Sequence, residues 1–326
     1  MPRPTRSRSR AIDGMVVLNK PAGLTSNGAL QRVRRALQAK KGGHTGSLDP
    51  AATGMLPLCF GEATKASAYL LDADKTYRVV ARLGASTDTG DADGEVVTTA
   101  EVPERSEADW QATLERFLGE SEQVPPMYSA LKRDGRRLYE LARKGETVER
   151  APRKIVISAI ELLEAAGRRL VFRVTCSKGT YVRTLVEDIA GVAGTVAHTR
   201  RLHRESVAGF EGCEMQSLGA VQALAASGQR PADWLLPADT GLAHIEPVTV
   251  DEGARERFTA GQVVPCSDAP KGLVRVYGPT GEFLGIGEVG EPGSVAPKRV
   301  FRTAPAGSTE AENGVVSAGA ESTVDI

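Results

Sequence analysis

The sequence predicts a mixed domain of alternating strands and helices, α/β or α+β, followed by a smaller, mostly β domain. Three observations carry this. Between residues 12 and 246, segments of alternating or continuous apolar character give way repeatedly to segments with helical spacing. Near Pro247 the pattern changes to strand, Gly-Pro-Thr-Gly turn, strand, as in "KGLVRVYGPTGEFLGIGEV". The chain has 326 residues and 41% hydrophobic content, enough for a sizeable core and consistent with about two domains.

In chain order, residues 1–11 hold Arg3, Arg6, Arg8 and Arg10 among Pro and Ser, with nothing to pack, and read as a disordered basic arm. "GMVVLNKPAG" is an apolar run stopped by Pro21 and Gly23, a strand entering a loop. In "TSNGALQRVRRALQAKK", Leu30, Val33 and Leu37 fall at helical spacing behind Ser26 and Asn27 as the N-cap. The other face of that helix carries Arg32, Arg34, Arg35, Lys40 and Lys41. "MLPLCF" reads as a strand and "EATKASAYLL" as a helix. In "KTYRVVARLG", Tyr77, Val79, Ala81 and Leu83 point one way and Arg78 and Arg82 the other, a half-buried strand.

"STDTGDADGE" is turn chemistry. "SEADWQATLERFLG" opens with a capping box, Ser106 to Asp109, and puts Trp110, Leu114, Phe117 and Leu118 on one helix face. Residues 124–152 are basic, contain Pro and Gly, and hold only a short helical pattern, "LYELARKG"; their length marks an excursion from the core. "KIVISAIELLEA" and "RRLVFRVTCSKGTYVRT" read as strands and "TLVEDIAGVAG" as a helix. After the small domain at 247–302, residues 303–326 are rich in Gly, Ala, Ser, Thr and Glu and read as a disordered acidic tail.

Formal net charge is zero, 41 basic against 41 acidic side chains, but the distribution is uneven. Lys132 to Lys154 carry nine basic and four acidic side chains, and "TRRLHR" adds Arg200, Arg201 and Arg204. Such patches serve phosphate contacts or are solvated helix faces, and charge alone does not choose. No apolar run reaches about 18 residues, so no membrane span or signal peptide is expected. Cys59, Cys176, Cys213 and Cys266 form no CxxC pair, which fits free thiols in a reducing cytosol rather than a zinc site.

One stretch stands apart: "GGHTGSLDP". Pro50 biases Asp49 away from helical angles, and Gly42, Gly43 and Gly46 permit tight turns. A short, stiffly held carboxylate suits a nucleophile or a base; its ordinary use is an Asx-turn or a helix cap. The glycines lack a following Lys-Ser/Thr, so a phosphate-binding P-loop does not fit. His44 lies in the same loop, where a histidine is incidental unless an RNA base stacks nearby. Tyr77 faces inward with Val79, as core or as pocket wall. "CSKGTYVRT" places Arg183 at a helix start, a natural forked partner for a buried carboxylate, or else one half of a surface salt bridge.

Six stretches in this order, "GMVVLNKPAGLTSN", "GGHTGSLDPAATGMLPLCFGEATK", "DKTYRVVARLG", "TDTGDADG", "QVPPMYSALKRDGRRLYELARKG" and "CSKGTYVRTLVEDI", resemble the bacterial tRNA pseudouridine-55 synthases, the TruB family. The likeness is strong over about 12–210 and weaker to about 302. It implies an α+β catalytic domain at 12–246, with a bisected, largely antiparallel sheet flanked by helices, and a PUA-like β-barrel RNA-binding domain at 247–302. By the resemblance Asp49 is the essential aspartate. His44, Tyr77, Tyr181 and Leu202 match positions around flipped nucleotides. Arg183 matches the arginine that pairs with the aspartate, Lys20 with Pro21 the motif supporting the site, and 124–152 the RNA clamp.

The implied activity is isomerisation of uridine to pseudouridine in the T-loop of tRNA, by base flipping, without cofactor or metal. The implied partner is the tRNA T-arm. A cytoplasmic monomer with no membrane contact and no obligatory protein partner is expected. The rival from another class is a non-catalytic tRNA-binding or tRNA-folding protein on the same scaffold. A relative working on guide RNA in a larger particle fits less well, because the chain lacks lysine-rich extensions.

Overall fold

Strand β1 (Gly14–Lys20) is buried at every position except Asn19, because the sheet is covered on both faces at this strand. Met15 and Val17 enter one apolar core, and Val16 and Leu18 enter another. The computed structural model describes residues 10–133, 135–267, 269–290 and 293–302. The acidic tail at 303–326 and the first nine residues of the basic arm lie outside them. Arg10, expected within the arm, is instead bridged to Ala39, its N–H donating to the Gln38 carbonyl at 2.8 Å.

Helix α1 (Ser26–Ala36) follows, capped by Thr25, whose Oγ1 accepts from the Gly28 N–H at 2.9 Å. The cap is therefore one residue earlier than its sequence suggests. Next come β2 (Gly42–His44) and β3 (Thr53–Phe60). The single helix expected in "EATKASAYLL" is a 3-10 turn at Gly61–Lys65 and a one-turn helix α2 (Ser67–Leu70). Strand β4 (Lys75–Leu83) alternates as predicted, with Tyr77, Val79, Ala81 and Leu83 buried and Arg78 and Arg82 exposed. Hairpin β5 (Ala85–Thr87) and β6 (Val96–Thr99) leads to α3 (Glu107–Glu115), where the Ser106–Asp109 capping box is formed. Trp110 and Leu114 are buried on α3; Leu118 lies past its end and is exposed, against expectation.

Strand β7 (Gly119–Gln123) precedes the excursion, which holds β8 (Lys132–Arg133), β9 (Arg136–Arg137) and α4 (Leu138–Ala142). Long strands β10 (Arg153–Ala166) and β11 (Arg169–Cys176) return to the sheet, and α5 (Val182–Val192) packs against it. Strand β12 (Ala197–Val207) was not expected: its polar run "HTRRLHRES" has no apolar alternation. Then come β13 (Gln216–Ser217) and α6 (Leu218–Ala226). The C-terminal part comprises β14 (Glu246–Thr249), α7 (Glu252–Thr259), β15 (Val264–Cys266), β16 (Gly272–Tyr277), β17 (Phe283–Val289) and β18 (Gly293–Val300).

The main sheet has the order β13-β1-β3-β12-β4-β11-β10-β7, with β2 paired to β3. Among the described residues of this sheet, only β1 with β13 and β3 with β12 are parallel. The β3–β12 contact is a seam of two residue pairs, His203 with Thr53 and Arg204 with Gly54, and it bisects the sheet. The second sheet, β14-β16-β17-β18-β15, has five strands and forms a PUA-like half-barrel. Phe283, Ile286 and Phe301 from this part join Met15, Val17, Leu70 and Phe210 in one core.

The seam depends on Gly54. Its φ is +102°, and a Cβ there would sit 2.2 Å from the Arg204 carbonyl oxygen. Gly54→Ala must therefore open the seam. Thermal unfolding should report a loss of about 3 kcal/mol or more, combining backbone strain and overpacking. Gly167→Ala, at a positive φ but in open space, is the comparison, and it should cost only about 1 kcal/mol. Equal losses would contradict the seam's role.

Candidate active site

The loop from Gly46 to Ala52 is held from three sides. On one, Ser26 of α1 is buried and grips Leu48 twice: its hydroxyl accepts from the Leu48 N–H at 2.7 Å and donates to the Leu48 carbonyl at 3.0 Å. On the second, Lys20 at the end of β1 is fully buried and donates to the carbonyls of Pro21 (2.9 Å), Leu24 (2.6 Å) and Pro50 (3.2 Å). On the third, Arg204 of β12, 1% exposed, donates to the carbonyls of Met55 (2.6 Å), Gly46 (3.2 Å) and Ser47 (3.4 Å). Of the three loop glycines only Gly46 has a positive φ, +136°; Gly42 and Gly43 are extended in β2.

Asp49 is what this frame presents. Its Oδ2 lies 2.9 Å from the Nε of Arg183, near the start of α5. The carboxylate side chain is 42% exposed and the guanidinium 5%, so the acid keeps an accessible face while the cation beneath it is buried. The contact is a single ion pair short of hydrogen-bond alignment, not the forked contact expected from sequence. Both Nη atoms of Arg183 are committed elsewhere, donating to the carbonyls of Thr89 (2.6 Å) and Tyr128 (2.8 Å). A second acid, Asp91, sits 3.8 Å from the same Nε. Its Oδ1 accepts from the Thr89 hydroxyl at 2.6 Å and the Asp93 N–H at 3.1 Å.

The electrostatics follow from this crowding. Desolvation dominates at Asp49 and pushes its carboxyl above the ordinary value. Arg183 opposes this, Asp91 adds to it, and Lys20 opposes it more weakly. Lys20 is pulled down to about 8, mainly by burial, with Asp49 resisting. Burial likewise raises the Tyr77 phenol, against the pull of the Arg204 charge. His44 is lowered by burial and then by Arg204, which both favour its neutral ring.

Of the residues singled out in the sequence, Asp49, Arg183, Lys20, Tyr77 and Tyr181 come together: the charge of Asp49 is felt at each of the other four or they at it. Tyr77 lies opposite Arg204 in the sheet register. His44 and Leu202 lie on β2 and β12, both paired to β3. His44 stands on β2 within the field of Arg204, and its buried Nδ1 has no hydrogen-bond partner among the described residues. Leu202 is half-buried on β12 opposite Val79. Among the described residues no three His, Cys, Asp or Glu side chains converge as a metal site requires.

Sequence reading missed four contributors. Arg204 looked like part of a phosphate-binding patch and is a buried clamp. Ser26 looked like a helix cap. Asp91 was hidden in ordinary turn chemistry. Gln123, at the end of β7, accepts from the Tyr181 N–H at 2.8 Å and donates to its carbonyl at 3.1 Å, fixing where α5 begins. None carried a local signal, because each acts across more than 20 positions of chain.

Removing Arg183 removes the largest force opposing protonation of Asp49. A carboxyl NMR titration of Arg183→Gln should therefore place Asp49 at a higher pKa than in the parent protein. Ionisation would then be lost at a higher pH on acidification. An unchanged or lower value would show that the guanidinium does not control this acid.

Comparison with known proteins bears on this geometry. Residues 34–182 match the family model described as TruB family pseudouridylate synthase (N terminal domain). Residues 247–301 match that of Pseudouridine synthase II TruB, C-terminal. The tRNA pseudouridine synthase B of Pseudomonas fluorescens strain Pf-5 is 50% identical over 297 residues, 90% of this chain and 97% of that protein. That of Pseudomonas aeruginosa strain UCBPP-PA14 is 49% identical over the same shares. Among solved structures, a Cbf5-Nop10-Gar1 complex matches in fold, with TM-score 0.69, 24% identity, and coverage of 89% of this chain and 85% of that one. Two family models matched in order, and relatives 50% identical over 90% of this chain, establish that the chain belongs to the TruB family of pseudouridylate synthases.

Proposed function

We propose that the chain converts uridine to pseudouridine in the T-loop of tRNA, at position 55, with Asp49 as the catalytic carboxylate. The observation that carries this is the pairing of an open acid with a buried guanidinium. Arg183 supplies a positive charge that cannot leave, and Asp49 keeps an accessible face. Relatives named tRNA pseudouridine synthase B support the tRNA substrate. No observation favours a purely tRNA-binding or tRNA-folding role.

The reaction is an isomerisation. The N1–C1′ bond breaks, the uracil turns, and C5 bonds to C1′. The proton lost from C5 is balanced by one gained at N1, so no outside reagent is consumed. The reacting uridine must leave its stack, at a cost of a few kcal/mol that is smallest in a loop. Basic side chains of the 124–152 excursion and of α1 attract the backbone. His44, Tyr181 and Leu202 line the flanks of the flipped nucleotides, and the Tyr77 ring stacks on the uracil. We assign the C5 proton to the Tyr77 oxygen in its phenolate form, which burial disfavours most and the adjacent Arg204 charge favours. Lys20 holds the loop and does not touch the reacting atoms. The protein acts as a cytoplasmic monomer without an obligatory protein partner. No helix among the described residues is long and apolar enough to cross a membrane.

Asp49→Asn keeps shape and removes charge. Mapping of pseudouridine in treated tRNA should show formation slowed by roughly 10³-fold or more. Filter binding should show tRNA affinity retained. Undiminished product would remove Asp49 from the mechanism. Tyr77→Phe keeps the ring and removes the oxygen, and turnover should slow by about 10²-fold with binding retained. Full turnover in that variant would exclude the phenol from the proton step.

A further inference from the structure

A groove lies away from Asp49, on the β4–β12 part of the main sheet. It has a volume of about 630 Å³ and is lined by Arg82 of β4, Arg168 of the β10–β11 turn, Arg169 at the start of β11, and His198, Arg200 and Arg201 of β12, with the rim of the β5–β6 hairpin. Five arginines and no carboxylate form its lining. The construction is specific. Arg82 is the outward member of the β4 alternation, on the face opposite Tyr77. A register shift between Thr199 and Arg201 interrupts the alternation of β12, so the consecutive Arg200 and Arg201 both reach the groove. His198 is buried and held by a 2.8 Å hydrogen bond from Nδ1 to the Ala85 carbonyl, which fixes its ring.

Neighbouring surface arginines are neutralised in place. Arg173 pairs with Glu161 and Glu205, at 2.9 Å and 2.7 Å. In the groove only Arg169 has such a partner, Glu164 at 3.1 Å. Arg82, Arg168, Arg200 and Arg201 make no ion pair among the described residues. The adjoining cavity of about 600 Å³ shares Arg168 but is lined by Glu101 and Glu104, so its field is mixed. A solvated helix or sheet face disperses like charges, whereas a concave surface concentrates their field and favours a polyanion. The groove shares β4 and β12 with the cleft and lies, from Tyr77 to Arg82, roughly 17 Å along the strand.

We propose that this arginine groove is a second RNA-binding surface, which holds the ribose–phosphate backbone of the substrate tRNA without regard to sequence while the reacting uridine occupies the cleft. The proposal rests on the functional reading above for the identity of its RNA. It gives Arg82, Arg200 and Arg201 a positioning role in affinity and none in the chemical step. Forked guanidinium donors suit phosphate oxygens, and each phosphate neutralised releases counterions.

The test is tRNA affinity as a function of salt for the full chain and for the triple variant R82Q/R200Q/R201Q. The variant should bind about tenfold more weakly at low salt, with a log–log salt slope shallower by about 2 to 3, at roughly 0.9 for each phosphate no longer neutralised. Turnover at saturating tRNA should stay within about twofold, which also reports that the variant is folded. R82K/R200K/R201K, which keeps the charge, should recover most of the slope. Parental affinity and slope in the glutamine variant would overturn the proposal. So would tighter binding, which would assign the groove to the acidic segment 303–326. If the parent protein formed no pseudouridine, the functional reading would fall while the binding and salt measurements still decided the groove.

Discussion

A guanidinium that is almost wholly buried has to be surrounded by acceptors, and the acceptors of Arg183 come from three separate stretches of chain. Thr89 and Tyr128 give carbonyls, and Asp49 and Asp91 give carboxylates to one nitrogen. The turn at 88–94, the root of the 124–152 excursion and the loop at 46–52 are thereby tied to one side chain of α5. Removing one partner of a buried charge costs several kcal/mol, because the other is left uncompensated. The same contact that positions the acid thus also fixes the walls around it.

Two further cations complete the arrangement. Lys20 and Arg204 are buried and spend their donors on backbone carbonyls around the loop. Arg183 and Lys20 act on the accessible carboxylate and Arg204 clamps its loop, an environment whose polarity is set before substrate arrives. That matters for a reaction in which a nucleotide must be held outside its stack: the protein spends no reorganisation on its own charges at that moment. The bisecting seam makes this geometry available. Where β3 and β12 pair for only two residues, Gly54 lets Arg204 come close enough to reach the loop.

Much of this was legible in the sequence, for physical reasons. The β4 alternation, the Ser106 capping box and the turn around Asp49 are local signals, read over a few residues. Arg183 was legible through the family resemblance, which pairs it with the aspartate; its place at a helix start alone left a surface salt bridge open. What failed was long-range. Strand β12 has a polar face on both sides of its alternation, since Arg204 is buried by carbonyls rather than by apolar neighbours. Thr25 displaced Ser26 as the cap because Ser26 was needed 22 residues away, at Leu48. Leu118 was placed on a helix face that ends before it. Burial of polar groups depends on partners that periodicity does not encode.

The central claim is that the carboxylate held by Arg183 meets the sugar and base of an extruded uridine. A crystal structure of this chain with a T-loop hairpin RNA tests it most directly. The account requires the extruded nucleotide to lie within hydrogen-bond reach of Asp49, about 3.2 Å or less, with the Tyr77 ring against its base and the Asp49–Arg183 pair intact. A uridine left stacked in its loop, or seated away from Asp49 with that pair broken, would contradict it.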